Sequence, residues 1–146
     1  KVEETTVEII VKNPQTYFEY SIDGFNYQGS NIFFNAPGGL QTAYAREMNS
    51  CGTDSENFVV LLVPTFFTPN NDSFNDFWTV KGILYYPNAE LRIFDRYGKF
   101  LKELRPTSLG WDGTFNGQEL PASDYWYVFK MDATAPEKRG HFTLKR

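Results

Sequence analysis

The chain has 146 residues and a formal net charge of −4, so its surface is predicted to be weakly acidic. That length is enough for one ordinary domain or for two small β-units. A weakly acidic surface argues against a nucleic-acid partner, because phosphates require a basic stripe. No apolar run long enough for a membrane-spanning helix is present. Residues 1–12 are strand-like and not leader-like, so a leader for export is expected upstream of residue 1.

A core rich in aromatic rings is predicted to stabilise the fold. Cys51 is the single cysteine, so no internal disulfide can form, and it is predicted to be a small, partly buried residue in a turn. The chain contains 14 Phe and 9 Tyr, and large rings bury much area per residue. Most of them alternate at core-like positions. The alternative interpretation is a platform on which sugars or bases stack.

Short runs of alternating apolar and polar residues predict β-strands in the first half of the chain. Asp23-Gly24 separates two such runs and predicts a tight hairpin in which both central residues have positive φ. Pro64-Thr65 is the predicted boundary between two units, residues 1–64 and 65–146. The strand-like runs of the first unit are 7–11, 18–22, 32–34, 40–46 and 58–63.

The second unit opens with a loop of turn-forming residues, 68–76, and continues as short strands. Tyr97-Gly98 predicts a hairpin within it. The strand-like runs are 77–80, 89–95, 100–104, 125–131 and 140–145. About a dozen short strands at ~8–12-residue spacing predict an all-β protein of immunoglobulin-like β-sandwich units, two in tandem.

The loop at residues 70–76 is a candidate for a calcium site. Asp72 and Asp76 would supply charge there, with the amide carbonyls of Asn70 and Asn75 beside them, and Ca²⁺ prefers six to eight oxygen ligands. The alternative is that these side chains accept hydrogen bonds from their own backbone and hold a tight turn. A zinc site is not expected, because one His and one Cys lie ninety residues apart.

No pattern of catalytic residues emerges, and the protein is predicted to be non-enzymatic. His141 is the only histidine, and no serine lies in a nucleophile elbow. Asp112 and Asp124, near two tryptophans, are a weaker candidate for the paired catalytic carboxylates of a glycoside hydrolase. Trp111-Asp112-Gly113 is interpreted instead as a structural corner, in which the Trp is buried, the Asp caps the turn and the Gly takes positive φ.

Several motifs follow one another along the second unit. In the first half of the unit these motifs contain Pro69, Asn70, Asp72, Asn75, Asp76, Asp95, Arg96 and Gly98. Further on they contain Trp111, Asp112, Gly113, Asn116-Gly117, Asp124-Tyr125-Trp126-Tyr127 and residues 139–146. In the order and spacing of these motifs, roughly residues 65–146 resemble the gliding-motility-associated C-terminal domain family, the type B sorting domain of the type IX secretion system.

The resemblance implies that the domain is a secretion signal and not a catalyst. Cargo of this kind is passed across the outer membrane by the type IX translocon, with a PorV-like shuttle and an SprF/PorP-like outer-membrane protein as partners. It stays at the cell surface, and SprB-like gliding adhesins are the expected cargo class. The first unit is similar to repeat modules of such adhesins. The rest of the protein, outside this chain, would contact surface glycans.

The last strand is the predicted receptor-docking element, and its alternative role is that of an edge strand kept soluble by basic residues. Phe142 and Leu144 would anchor it by apolar contact, and Lys145 and Arg146 by charge. Removal of the last five residues is expected to abolish export without unfolding the core. The docking residues are Gly140, His141, Phe142, Thr143, Leu144, Lys145 and Arg146.

The sequence departs from the family pattern at Asn71 and Ser73, where glycine is usual. Asn tolerates left-handed φ, whereas Ser tolerates it less well, so the family pattern does not fix the loop conformation at Ser73 or any ion that the loop would hold. Two other functions stay open. One is a carbohydrate-binding module that uses Trp78, Trp111 and Trp126, and the other is a structural domain stabilised by calcium.

Overall fold

The computed structural model describes residues 6–12, 17–48 and 52–146, so Cys51 lies outside the described residues. The fold is almost entirely β, which confirms the predicted all-β class. Within the described ranges, no helix is both long and apolar enough to cross a membrane. The strands are β1 (Thr6–Glu8), β2 (Phe18–Ser21), β3 (Ile32–Phe34), β4 (Gly39–Glu47), β5 (Thr53–Val60), β6 (Phe66–Phe67), β7 (Glu90–Phe94), β8 (Phe100–Leu104), β9 (Thr114–Phe115), β10 (Gln118–Glu119), β11 (Ser123–Lys130) and β12 (Lys138–Leu144).

The chain divides into two compact units, Lys1–Leu62 and Val63–Arg146. In the first unit, β2, β4 and β5 form an antiparallel sheet with β4 in the middle, and β1 pairs with β3. β4 and β5 pair from Gly39–Val60 to Arg46–Thr53. The polar first half of β5 lacks apolar alternation, and for that reason the sequence predicted only its apolar end.

The predicted hairpin at Asp23-Gly24 forms, but its turn is wider than the two-residue turn that the Asp-Gly pair predicted. Only Gly24 of this pair has positive φ, and the chain next pairs at Tyr20 and Gln28. The Asp23 carboxylate accepts the backbone N–H groups of Phe25 and Asn26, both at 2.8 Å, which widens the connection into a loop. These hydrogen bonds, that from Asn26 first, hold the pKa of Asp23 below its ordinary value because they favour the ionised form.

The second unit is built on a five-stranded sheet in the order β6-β12-β11-β7-β8. β12 pairs in parallel with β6 and antiparallel with β11, while β7 joins β11 to the edge strand β8. The last strand is therefore not simply an edge strand, because β6 continues the sheet beside its carboxyl end. Side chains from this sheet fill the core, including Leu91, Ile93, Leu104, Tyr125, Phe129, Phe142 and Leu144.

The opposite side of this core has little regular structure. The strand predicted at residues 77–80 is reduced to a single bridge between Trp78 and Trp111. The chain turns soon afterwards, since Gly82 has a φ of 90° and precedes the 3₁₀ helix Ile83–Tyr85. Trp78, Val80 and Trp111 are nevertheless fully buried against the sheet.

Two features favour the immunoglobulin-like architecture, which stays a prediction. Tyr125, near the start of β11, donates its hydroxyl to the carbonyl oxygen of Pro121 at 2.8 Å. A tyrosine that bonds back across a corner in this way is typical of immunoglobulin-like sandwiches. A short opening strand parallel to the final strand, as β6 is to β12, fits the same architecture. Burial raises the pKa of Tyr125, which keeps its hydroxyl a donor.

Candidate functional site

The motif at residues 110–113 forms a corner that is anchored in the core. Trp111 exchanges two backbone hydrogen bonds with Trp78, at 2.8 and 2.9 Å, and its indole N–H donates to the carbonyl oxygen of Thr114 at 2.9 Å. Asp112 Oδ1 accepts the backbone N–H and the hydroxyl of Thr114, at 3.1 and 2.7 Å. The carboxylate of Asp112 is thus used to hold its own turn.

Both glycines of this corner allow close approach to other segments. Gly110 has a φ of +123°, and a Cβ there would lie 2.7 Å from the carbonyl oxygen of Trp78. Gly113 has a φ of +82°, and a Cβ there would lie 2.7 Å from Leu144 Cδ1. The requirement for glycine therefore comes from backbone conformation and from packing against the last strand.

The motif at residues 95–99 builds the turn between β7 and β8. Asp95 Oδ1 accepts the backbone N–H groups of Tyr97 and Lys99, each at 2.9 Å. Gly98 has a φ of +82°. Arg96 Nη2 donates to the Tyr97 hydroxyl at 2.8 Å on the exposed side of the turn. The motif sets the hairpin, and its basic and aromatic side chains stay at the surface.

The loop at residues 70–76 is held by its own carboxylates. Asp76 Oδ1 accepts the backbone N–H groups of Asn70 and Asn71 at 2.9 and 2.8 Å, and Asp76 Oδ2 accepts that of Ser73 at 2.9 Å. Asp72 Oδ1 accepts the N–H of Phe74 at 2.8 Å. No group of three or more His, Cys, Asp or Glu residues with the geometry of a metal site occurs in residues 6–12, 17–48 and 52–146.

The loop keeps a left-handed conformation at the positions where the family pattern has glycine. Asn71 has a φ of 61° and Ser73 a φ of 70°, and Asn75 adds a third value of 51°. Ser73 therefore adopts left-handed φ although serine tolerates it less well than glycine or asparagine. The three hydrogen bonds to Asp76 impose the conformation, and the serine adopts it at the cost of backbone strain.

Phe142 and Leu144 are buried side chains of the core, and their predicted role as exposed anchors must be corrected. Each is 0% exposed. Phe142 stacks on Trp78, with ring centroids 3.8 Å apart, and meets Trp111 edge-on at 6.0 Å. Inward-facing positions alternate along β12, so the same pattern that suggested a docking face marks the core face. Truncation of the last five residues removes core side chains and not only a tail.

The other predicted docking residues have mixed environments. Gly140 lies opposite Tyr127, and a Cβ there would come within 2.5–2.8 Å of the Tyr127 side chain. Arg146 turns back and donates to the carbonyl oxygens of Leu120 and Gly113, at 2.8 and 3.2 Å.

Lys145 extends over the Phe66 ring at 4.3 Å and stays exposed. His141 is exposed on the outward face, and Thr143 Oγ1 donates to Asp124 Oδ1 at 2.7 Å on the same face. Of the seven predicted docking side chains, His141 and Lys145 therefore offer the most accessible functional groups.

Four rings cross the outward face of the five-stranded sheet, and we call Phe100, Phe94, Trp126 and His141 the aromatic row. They occupy β8, β7, β11 and β12, and each is in register with the next. The Phe94 and Phe100 centroids are 5.8 Å apart, and those of Trp126 and His141 are 6.1 Å apart. The sequence alone did not identify this set of residues. The available signal was that Phe94 and Trp126 are out of phase with the inward residues of their strands.

Two of the three tryptophans on which the carbohydrate-binding alternative depends are buried. Trp78 is 0% exposed and Trp111 is 1% exposed, so neither can stack on a sugar, whereas Trp126 is 38% exposed. Trp78 also donates its indole N–H to the carbonyl oxygen of Pro64 at 2.8 Å. Buried rings of this kind are what a plain aromatic core requires.

The comparisons with known proteins agree with this architecture at the level of family. A family model described as the CHU_C type IX secretion signal domain matches residues 61–144. The chain belongs to this family of secretion signal domains, which confirms the resemblance to the type B sorting domain. No curated protein and no solved structure matches the chain. A type IX secretion signal implies interaction with the type IX machinery and export across the outer membrane toward the cell surface or beyond.

Proposed function

We propose that residues 65–146 are the sorting and surface-attachment module of a type IX cargo protein and have no catalytic role of their own. The observation that carries this proposal is the family match, which spans 61–144 and thus the strands of the second unit. The motif side chains Asp76, Asp95 and Asp112 support it, because each accepts hydrogen bonds within its own turn. Each of these carboxylates therefore has a structural role in its own turn.

The cargo class we propose is a large gliding-motility adhesin, with residues 1–64 as the end of a repeat region. The first unit forms a three-stranded antiparallel sheet and a separate pair of strands, which is compatible with a β-rich repeat module. It is also strongly acidic, with three Lys or Arg against eight Asp or Glu in residues 1–62. The proposed receptors are a PorV-like shuttle and an SprF/PorP-like outer-membrane protein, and the mature module stays at the cell surface.

An export assay tests the sorting role. The 146-residue chain is fused behind a fluorescent protein that carries an ordinary signal peptide for the inner membrane. Surface and medium fluorescence are then compared between cells with and without the type IX machinery. We expect export only where the machinery is present, and retention in the periplasm of both strains would overturn the proposal. The ratio of cell-bound to released fluorescence tests attachment, since a fully released fusion would contradict it.

A further inference from the structure

The aromatic row is an unusual feature on the outward face of a sheet. Outward positions of a half-buried sheet are normally polar. Here Trp126 is 38% exposed and Phe100 is 49% exposed, while Phe94 is half-buried between them. Other exposed apolar side chains of the second unit, such as Leu84 in the 3₁₀ helix and Leu109 in the connection after β8, lie outside the strands and have no such neighbours across strands among the described contacts.

Pairs of polar side chains flank the row on both sides. Asp124 accepts from Thr143 at 2.7 Å on one side of the row. On the other side, Arg92 Nε lies 3.8 Å from Glu103 Oε1 in an ion pair. An aromatic centre inside a polar rim is the usual anatomy of a protein–protein interface.

The strand at one end of the row is basic. His141 and Lys145 lie on the outward face and are exposed. Arg139 lies on the same face, and its Nη2 is paired with Glu137 Oε2 at 2.7 Å. The second unit has eleven Lys or Arg against ten Asp or Glu, so it lacks the acidic excess of residues 1–62. A partner for this face should therefore place carboxylates beside an apolar pocket.

The ring orientations favour a protein over a sugar chain. The planes of Phe94 and Phe100 are inclined at 67°, and those of Trp126 and His141 at 43°. Rings tilted in this way do not make the flat platform on which successive sugars stack. They are suited to pockets that each accept one ring, as at interface hot spots.

We propose that the aromatic row is the surface on which a protein of the type IX secretion machinery docks. The inference rests on the proposed sorting function and deepens it by naming the face that is recognised. Trp126 and Phe100 enter apolar pockets of that protein, and carboxylates of the same protein contact His141 and Lys145. The apolar residues of β12 act indirectly. Phe142 packs in the core beneath the sheet, and the outer face of that sheet carries the row.

The first test is an export assay with matched variants of the full chain. One variant carries Trp126→Thr and Phe100→Thr, since threonine keeps the strand preference of these positions. The control carries Leu84→Thr and Leu109→Thr, which remove exposed apolar side chains elsewhere in the unit. We expect at least a tenfold loss of surface fluorescence for the row variant and none for the control. Export of the row variant at the level of the unchanged chain would overturn the inference and leave the sorting function intact.

The second test does not depend on removal of the row. A photo-crosslinking phenylalanine derivative replaces Phe100, and a parallel chain carries it at Leu109. We expect Phe100 to crosslink to a protein that mass spectrometry identifies as a component of the type IX machinery. Leu109 should give no such product. A crosslink from Phe100 to a glycolipid or to a second copy of the chain would overturn the inference. If the unchanged fusion is not exported in the first test, the proposed sorting function itself fails.

Discussion

Phe142 stacks face to face on Trp78, with ring centroids 3.8 Å apart and planes inclined by only 10°. The two residues belong to different sides of the core, since Phe142 lies on the central sheet and Trp78 on the irregular segment opposite. Phe67, Trp111 and Tyr125 surround Phe142 at 6.0–6.3 Å. One side chain of the last strand therefore connects both layers of the second unit.

We predict that Phe142→Ala destabilises the second unit by about 3–5 kcal/mol, because it leaves a large cavity among rings that cannot close around it. All three tryptophans lie in this unit, so tryptophan fluorescence during urea unfolding reports its stability. Phe74→Ala is the control, since Phe74 is 74% exposed and its loss should change stability by less than about 0.5 kcal/mol. Equal effects of the two substitutions would contradict the role of Phe142 in the core.

Gly140→Ala is predicted to lower the free energy of unfolding by about 1–3 kcal/mol, because the added methyl overlaps the Tyr127 ring. The ring cannot move away freely, since it also packs on Trp78 at 5.5 Å. A double-mutant cycle with Tyr127→Leu isolates this overlap. The same loss in both backgrounds would mean that Gly140 is required for a reason other than the ring.

At residue 73 we predict that Ser73→Gly raises the free energy of unfolding by about 0.5–1 kcal/mol, because glycine adopts a φ of 70° without strain. Asn71→Gly should be close to neutral, since asparagine tolerates the left-handed region. Urea unfolding of both variants measures the difference. A loss of stability in Ser73→Gly would show that the serine side chain contributes more than its strain costs.

The thermal midpoint should be the same in calcium and in chelator. Both oxygens of Asp76 already accept backbone N–H groups, so ligation would have to replace these hydrogen bonds. Differential scanning calorimetry in millimolar Ca²⁺ and in EDTA measures the midpoint. A rise in calcium that Asp72→Asn abolishes would instead support the calcium-stabilised alternative, since a ligand that binds the native state raises the midpoint.

Strand periodicity predicted most of the regular structure of the second unit. Residues 100–104 coincide with β8, and 125–131 overlap β11 except at their ends. Alternation reports which side chains share a face, and this information is local. It could not tell whether the face that carries Phe142 and Leu144 points toward the core or toward a receptor.

The aromatic row could not be predicted, because it depends on register across four strands. Phe94 and Phe100 are neighbours in the hairpin, but Trp126 and His141 reach them only through the pairing of β11 with β7 and β12. The two-residue turn predicted at Asp23-Gly24 does not form, for a different reason. An Asp-Gly pair usually favours a tight turn, and here the carboxylate of Asp23 competes for the N–H groups of the following residues.

The parallel pairing of β6 with β12 joins the beginning of the second unit to its end, with Phe67 opposite Leu144. Contacts between residues so distant in sequence form late and make folding slow. A ribosome must therefore have synthesised the chain through Leu144 before this sheet can be completed. A cargo chain whose translation stops before Leu144 would lack a folded secretion signal. The topology therefore restricts recognition to chains that have been synthesised at least to this residue.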